Sequence, residues 1–212
     1  MKTEPAIFLL FLLFIALIGG IYGFAKYKES KHYFIYHGTN GDYRIDIQTI
    51  GNQTDYYLYA VSQNKLYLTP LRKKPQDVEP IPLEKNLLGK LQNSEGPKTV
   101  YITQDYSTPL KTGQLSIINF NELGKILGKA EYGIYKLDVH GAFTDSTNRS
   151  RELEIPQIDC ANTTSKTAVI YLKLGEQNRV YSSDDCIIVE GKDTEGLTLA
   201  TNKFAYYLLG VF

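Results

Sequence analysis

The chain has 212 residues and balances 23 basic against 23 acidic side chains, so no overall field gathers a polyanion, which argues against nucleic acid as a partner. Its length supports one substantial domain or two small ones, with a core that needs no covalent staple. Seventeen tyrosines, one methionine and no tryptophan suit half-buried strand faces, where a ring packs and its hydroxyl meets water.

From Ala6 to Phe24 the sequence reads AIFLLFLLFIALIGGIYGF, without a charge. At about 1.5 Å per residue a helix over this run covers roughly 28 Å, close to the ~30 Å hydrocarbon core of a bilayer. Residues 1–25 therefore read as a transmembrane anchor held by membrane lipid. A cleaved signal peptide is the alternative, since Gly23 and Ala25 stand at the two positions a signal peptidase inspects. The run exceeds the usual apolar region of about 7 to 15 residues, which favours the anchor. Ala16, Gly19, Gly20 and Gly23 would permit close approach of a second helix.

Residues 26–32, KYKESKH, form a charged juxtamembrane neck. Lys26, Lys28 and Lys31 against Lys2 and the amino terminus tilt the count by about one charge towards a cytoplasmic domain. The cysteines and sequons described below argue for the outside, and residues 33–212 are read as an extracytoplasmic domain, β-rich over 33–83 and mixed α/β over 84–212.

In the β-rich part HYFIYH, DYRIDIQTI, DYYLYAV and KLYLTP read as strands, the last two joined as a hairpin through Ser62, Gln63 and Asn64. Asn40 and Gly41 mark a turn. Arg72, Lys73 and Lys74 read as a solvated turn. Prolines 70, 75, 80 and 82 then make KKPQDVEPIPLE an extended crossing or edge segment. A short helix follows over Glu84–Gln92.

KTVYIT is the next strand. Gln114–Gly128 sets Leu115, Ile118, Leu123, Ile126 and Leu127 largely on one face, as an amphipathic helix does. YGIYKLDVHGAF is strand-like and FTDSTNRSRE a polar loop. IPQID, TAVIYLKL, RVYS and CIIVEG are further strands. A final helix over Thr194–Leu209 has Thr194 as its cap, with Leu197, Ala200, Phe204 and Leu208 inward. The fold class is α/β or α+β: a transmembrane helix, a β-rich section, then a mixed sheet with two amphipathic helices.

Chemistry is sparse. Cys160 and Cys186 both follow acids, which favour a neutral thiol over a nucleophile, and no second cysteine stands at zinc-ligand spacing. The pair reads as a disulfide, with two inert buried thiols, or reactive or metal-binding cysteines, as the alternatives; a disulfide belongs to an oxidising compartment. Asn52, Asn148 and Asn162 open Asn-x-Ser/Thr sequons in loop-like context. Asp159, Asp184 and Asp185 read as solvated strand-end acids rather than a calcium site. His37 and His140 have no partner within helical or strand reach and read as surface or satisfied histidines rather than catalytic ones. GKDTEG is a helix-start turn rather than a phosphate loop. No cofactor is implied.

The runs LTPLRKKPQDVEPIPL, KTVYITQD, IPQIDCANTTSKTAVIYLKL and DDCIIVEGKDTEGLTLATNKFAYYLLGVF resemble a family of uncharacterised, single-pass membrane proteins of small-genome archaea. The likeness covers about Tyr56 to Phe212, and the recurrent cysteine, strand and CIIV-G arrangement implies that Cys160 and Cys186 are partners. QLSIINFNELGKIL departs from it, the relatives being richer in alanine there. The resemblance implies no activity. The expected function is a non-enzymatic structural or binding role in the cell envelope. An accessory subunit of a larger membrane complex is the first alternative, and a membrane-tethered hydrolase the second.

Overall fold

The computed structural model describes residues 15–21, 32–62, 64–93, 96–105, 110–130, 133–145, 151 and 154–212. Of the expected anchor, residues 15–21 are helical and exposed, and the remainder lies outside the described residues. Among the described residues no helix is long and apolar enough to cross a membrane.

Alternating side chains build the first sheet. β1 (Tyr33–Gly38), β2 (Gly41–Ile50), β3 (Gln53–Ser62) and β4 (Lys65–Leu71) form an antiparallel meander in that order. Register sets Phe34 opposite Ile45 and Ile45 opposite Leu58, so Tyr36, Ile45, Leu58 and Leu71 share the inner face and are buried. Tyr57, Tyr59 and Val61 face outward, opposite Pro70, Leu68 and Leu66.

The chain between the sheets is part edge segment, as expected, with Leu83 pairing against Val180 at the rim of the second sheet, and part helix, which its prolines did not suggest. Pro75 opens a short helix, α1 (Pro75–Val78), where its missing N–H costs nothing. α2 (Leu88–Leu91) is shorter than the expected helix and leads into the ribbon β5 (Gln92–Asn93) and β6 (Gly96–Pro97).

The second sheet has the order β10-β11-β9-β7-β8. β7 (Thr99–Gln104), β8 (Asp138–Phe143), β9 (Thr167–Leu174) and β11 (Cys186–Gly191) are parallel, and β10 (Arg179–Ser183) is an antiparallel edge. α3 (Leu110–Leu127) carries the chain from β7 to β8, beginning four residues earlier than its apolar stripe predicts. The expected strand over YGIYKLDVHGAF shrinks to β8, and IPQID is not a strand: Gln157 alone bridges Phe143 before a 3-10 turn at Cys160–Asn162. With one antiparallel meander and one mixed sheet, the architecture is α+β.

α4 (Thr194–Leu208) ends the chain's regular structure, capped by Asp193 rather than Thr194: the Asp193 carboxylate accepts the Gly196 N–H at 2.7 Å. Gly191 lets the helix start lie against β11, since a Cβ there would sit 2.0 Å from the Leu197 nitrogen. Leu197, Ala200, Phe204 and Leu208 are buried as the periodicity requires, but so are Thr201, Asn202, Lys203 and Tyr206. The helix is enclosed on nearly all sides, and one hydrophobic core joins it to the inner faces of both sheets.

Two features lock this layer to the first sheet. The Asn202 side-chain oxygen accepts the backbone N–H groups of Arg72 and Lys73, at 3.0 and 3.1 Å, while its amide donates to Glu122 and the Thr198 carbonyl, at 2.9 and 3.0 Å. Arg72 and Lys73 are thus part of a seam, not a solvated turn; their side chains pair with Glu122 and Glu195. Beyond α4, Val211 accepts the Thr39 N–H at 2.9 Å, and a Cβ on Gly38 would lie 2.5 Å from the same carbonyl oxygen. Phe212 packs edge-on against Tyr36 and Tyr206.

Replacing Asn202 with alanine strands two backbone donors and a buried carboxyl at once, and is expected to cost ~3 kcal/mol of stability. Urea unfolding of Asn202→Ala measures it, and a cost below ~1 kcal/mol would contradict the assigned role.

Candidate functional site

Next to the Asn202 seam, a polar cavity of about 200 Å3 opens between the first sheet and α3. α3 supplies Asn121, Glu122 and Lys125, while Asp55 comes from β3 and Arg72 from the end of β4. Glu122 is 9% exposed. One carboxyl oxygen lies 3.3 Å from the Arg72 guanidinium and the other accepts from Asn202. Burial pushes its pKa up to about 7; Arg72 and Asn202 pull down and offset only part of that rise. The cavity therefore holds a group that gives or takes a proton near neutral pH, beside fixed charges of both signs.

Sequence analysis did not single out Glu122. The signal was present, because positions 115, 118, 122 and 126 follow the helical period and Glu122 falls on the apolar stripe. Asn119 and Thr201, in the neighbouring turns of α3 and α4, are fully buried with no hydrogen-bond partner among the described residues.

Glu190 of β11 presents the opposite case. Burial pushes its carboxyl up, but the Tyr181 hydroxyl, the Gln177 N–H, Arg179 and Lys173 outweigh it and hold the pKa at about 2. Its oxygens accept from Tyr181 at 2.9 Å, Arg179 at 3.1 Å and the Glu176 N–H at 2.9 Å. This is a permanent anion that pins β10 and the turn before it to β11. A smaller polar group lies at the carboxyl ends of β7 and β8, where Tyr171 and Thr144 both donate to Asp105. Burial, reinforced by Asp105, raises the Tyr171 pKa.

Of the residues singled out in the sequence, Cys160 and Cys186 are joined in a disulfide with a Cα–Cα distance of 5.2 Å. It ties the 3-10 turn to the start of β11, on the face of the second sheet turned away from α4. Val169 and Ile188 are buried around it, with Ile158 packed alongside. Asn52 is exposed in the turn between β2 and β3. Asn162 is exposed too, but its side-chain oxygen accepts the Asp159 N–H at 2.8 Å in a capping box. Asn148 lies outside the described residues.

Asp159 caps the 3-10 turn, Asp184 sits in the turn between β10 and β11, and Asp185 faces Lys90 at 3.5 Å. Among the described residues no group of three or more histidine, cysteine, aspartate and glutamate side chains is placed to hold a metal ion. His37 and His140 are exposed and satisfied, as expected, but by partners within reach, where none is expected from the sequence: His37 meets Asp42 at 2.6 Å, and His140 meets Asp138 at 3.1 Å, two residues away on the same strand face. GKDTEG is the helix-start turn expected of it, its Asp193 spent on the cap.

No protein-family model, curated protein or solved structure matches the chain.

An acid with a pKa of about 7 in the fold and 4.5 as its ordinary value holds its proton more tightly when folded. Its contribution to stability is complete below about 4.5, declines as the pH rises, and levels off above 7. Stability is therefore expected to fall by ~3 kcal/mol between pH 4.5 and 7.5, and Glu122→Gln is expected to remove that slope. Urea unfolding across this range checks it, and an unchanged slope in the variant would contradict the assignment. Replacing both cysteines by alanine frees a loop with a sequence separation of 26 and should lower stability by ~3 kcal/mol in the same measurement.

Proposed function

We propose that this chain is a membrane-tethered binding protein of the cell envelope, whose residues 33–212 lie outside the cytoplasm. The observation that carries the reading is the Cys160–Cys186 disulfide, because such bonds persist in oxidising compartments and are reduced in most cytosols. The apolar run Ala6–Phe24 supplies the tether, and the likeness to single-pass archaeal membrane proteins favours the same arrangement. Asn52 and Asn162, exposed on turns, are available to a glycosylation machinery on that side. The binding role rests on the outer face of the first sheet, where Val61 is 73% exposed and Leu66 is 60% exposed beside Tyr57 and Tyr59.

An accessory role in a larger membrane complex is the second reading. Gly19 and Gly20 on the helical segment 15–21 have open space around them, as close helix packing requires. Purification in mild detergent separates the two, since the accessory subunit brings stoichiometric partners with it.

In intact cells, added protease is expected to degrade the domain. Intact mass of the native protein is expected to show no alkylation until a reductant is added. Two thiols that alkylate without reduction, on a chain that protease cannot reach, would overturn the proposal.

A further inference from the structure

The edges of the two sheets are treated differently. In the second sheet, β10 is covered by the segment around Leu83: Val180 donates to the Pro82 carbonyl and accepts from the Glu84 N–H, both at 2.9 Å. The carboxyl end of β8 is covered by residues 156–158, where Phe143 donates to the Pro156 carbonyl and accepts from the Ile158 N–H. β4 is the last strand of the first sheet, and among the described residues no strand or bridge lies beyond it. A groove of about 480 Å3 runs along it, lined by every residue from Lys65 to Pro70. A row of backbone groups that no strand among the described residues pairs, beside apolar side chains, is the template for an added strand.

Side chains say what kind of strand. Leu66, Leu68 and Pro70 alternate on the outer face beside Tyr57, offering apolar contact to every second residue of a partner. Lys65 begins the strand. Lys125 lines both this groove and the cavity that contains Pro70 and Arg72, which places it at the other end. Pro70 lacks an N–H and limits the pairing to the residues before it. Six residues of strand span roughly 20 Å, so the two cations bracket a short segment.

A second copy of β4 fits this edge poorly. Antiparallel pairing centred on Leu68 sets Lys65 of one copy opposite Leu71 of the other, at the end that Lys125 already occupies, and like charges meet. We infer that the β4 edge is a docking site for an extended peptide of a partner protein, apolar at alternate positions and acidic at both ends. The inference rests on the reading of the chain as a binding protein, but not on its compartment. Failure of the protease experiment would leave it standing, and loss of peptide binding would leave the compartment standing.

The test uses the full chain in detergent and two fluorescein-labelled probes, Asp-Val-Thr-Val-Thr-Val-Asp and the same peptide with lysine at both ends, titrated by fluorescence anisotropy. The acidic probe is expected to bind at least about tenfold more tightly, and N-methylation of alternate amides to abolish binding. Leu68→Arg, at a position 42% exposed, should weaken binding about tenfold, and Lys125→Glu should favour the lysine probe relative to wild type. Thermal unfolding confirms that the variants fold; if Leu68→Arg does not, the charge swap at Lys125 decides alone. Equal affinity for both probes, no binding of either, or affinity that survives N-methylation would overturn the inference. A concentration-dependent dimer that Leu68→Arg abolishes would overturn it as well, by giving the edge to a second copy.

Discussion

The structure turns on one side-chain amide. Asn202 lies in the most enclosed helix of the domain, where an unpaired polar group is costly, and it uses four hydrogen-bonding positions. Two of these hold the backbone as it leaves the meander, and one fixes a carboxyl of α3. Three elements distant in sequence are thereby registered against one another by a group that an aliphatic residue of similar size could not replace. Hydrophobic burial brings the layers together; the amide decides how they are aligned.

Two carboxyls withdrawn from solvent end in opposite charge states. Glu190 and Glu122 are both largely withdrawn from solvent, at 2% and 9% exposure. Glu190 accepts from a tyrosine, an arginine and two backbone N–H groups, has the Lys173 ammonium 3.6 Å away, and remains an anion. Glu122 has one guanidinium at 3.3 Å and one amide, which do not offset desolvation, and its proton becomes mobile at neutral pH. The number of donors, not depth alone, separates a structural anchor from a titrating group. Because Glu122 shares Asn202 with Arg72 and Lys73, its charge state is coupled to the joint between the two sheets.

Much of the fold was legible where period and burial agree. The four strands of the meander show as aromatic and β-branched runs between turn residues, DYRIDIQTI with plain alternation, and α4 shows its inner stripe in Leu197, Ala200, Phe204 and Leu208. Errors fell where tertiary contact overrode local preference. Pro75 starts a helix instead of excluding one, IPQID pairs through a single residue, and Arg72 and Lys73 look solvated in a linear reading although an asparagine 130 residues away holds their backbone. The disulfide could be weighed from two acid-flanked cysteines, but the cavity could not. Its members come from β3, the end of β4 and α3, and only the misfit of a glutamate on an apolar stripe hinted at it.

The bond between Thr39 and Val211, with Phe212 seated on Tyr36, joins the first hairpin to the last residues of the domain. During synthesis the inner face of β1 and β2 must wait for a partner translated about 170 residues later, which at 5–20 residues per second is roughly 9 to 34 s. Throughout that interval Tyr36 and Ile45 lack their native cover. The nascent meander is thus a substrate for chaperones or for aggregation until the final helix arrives.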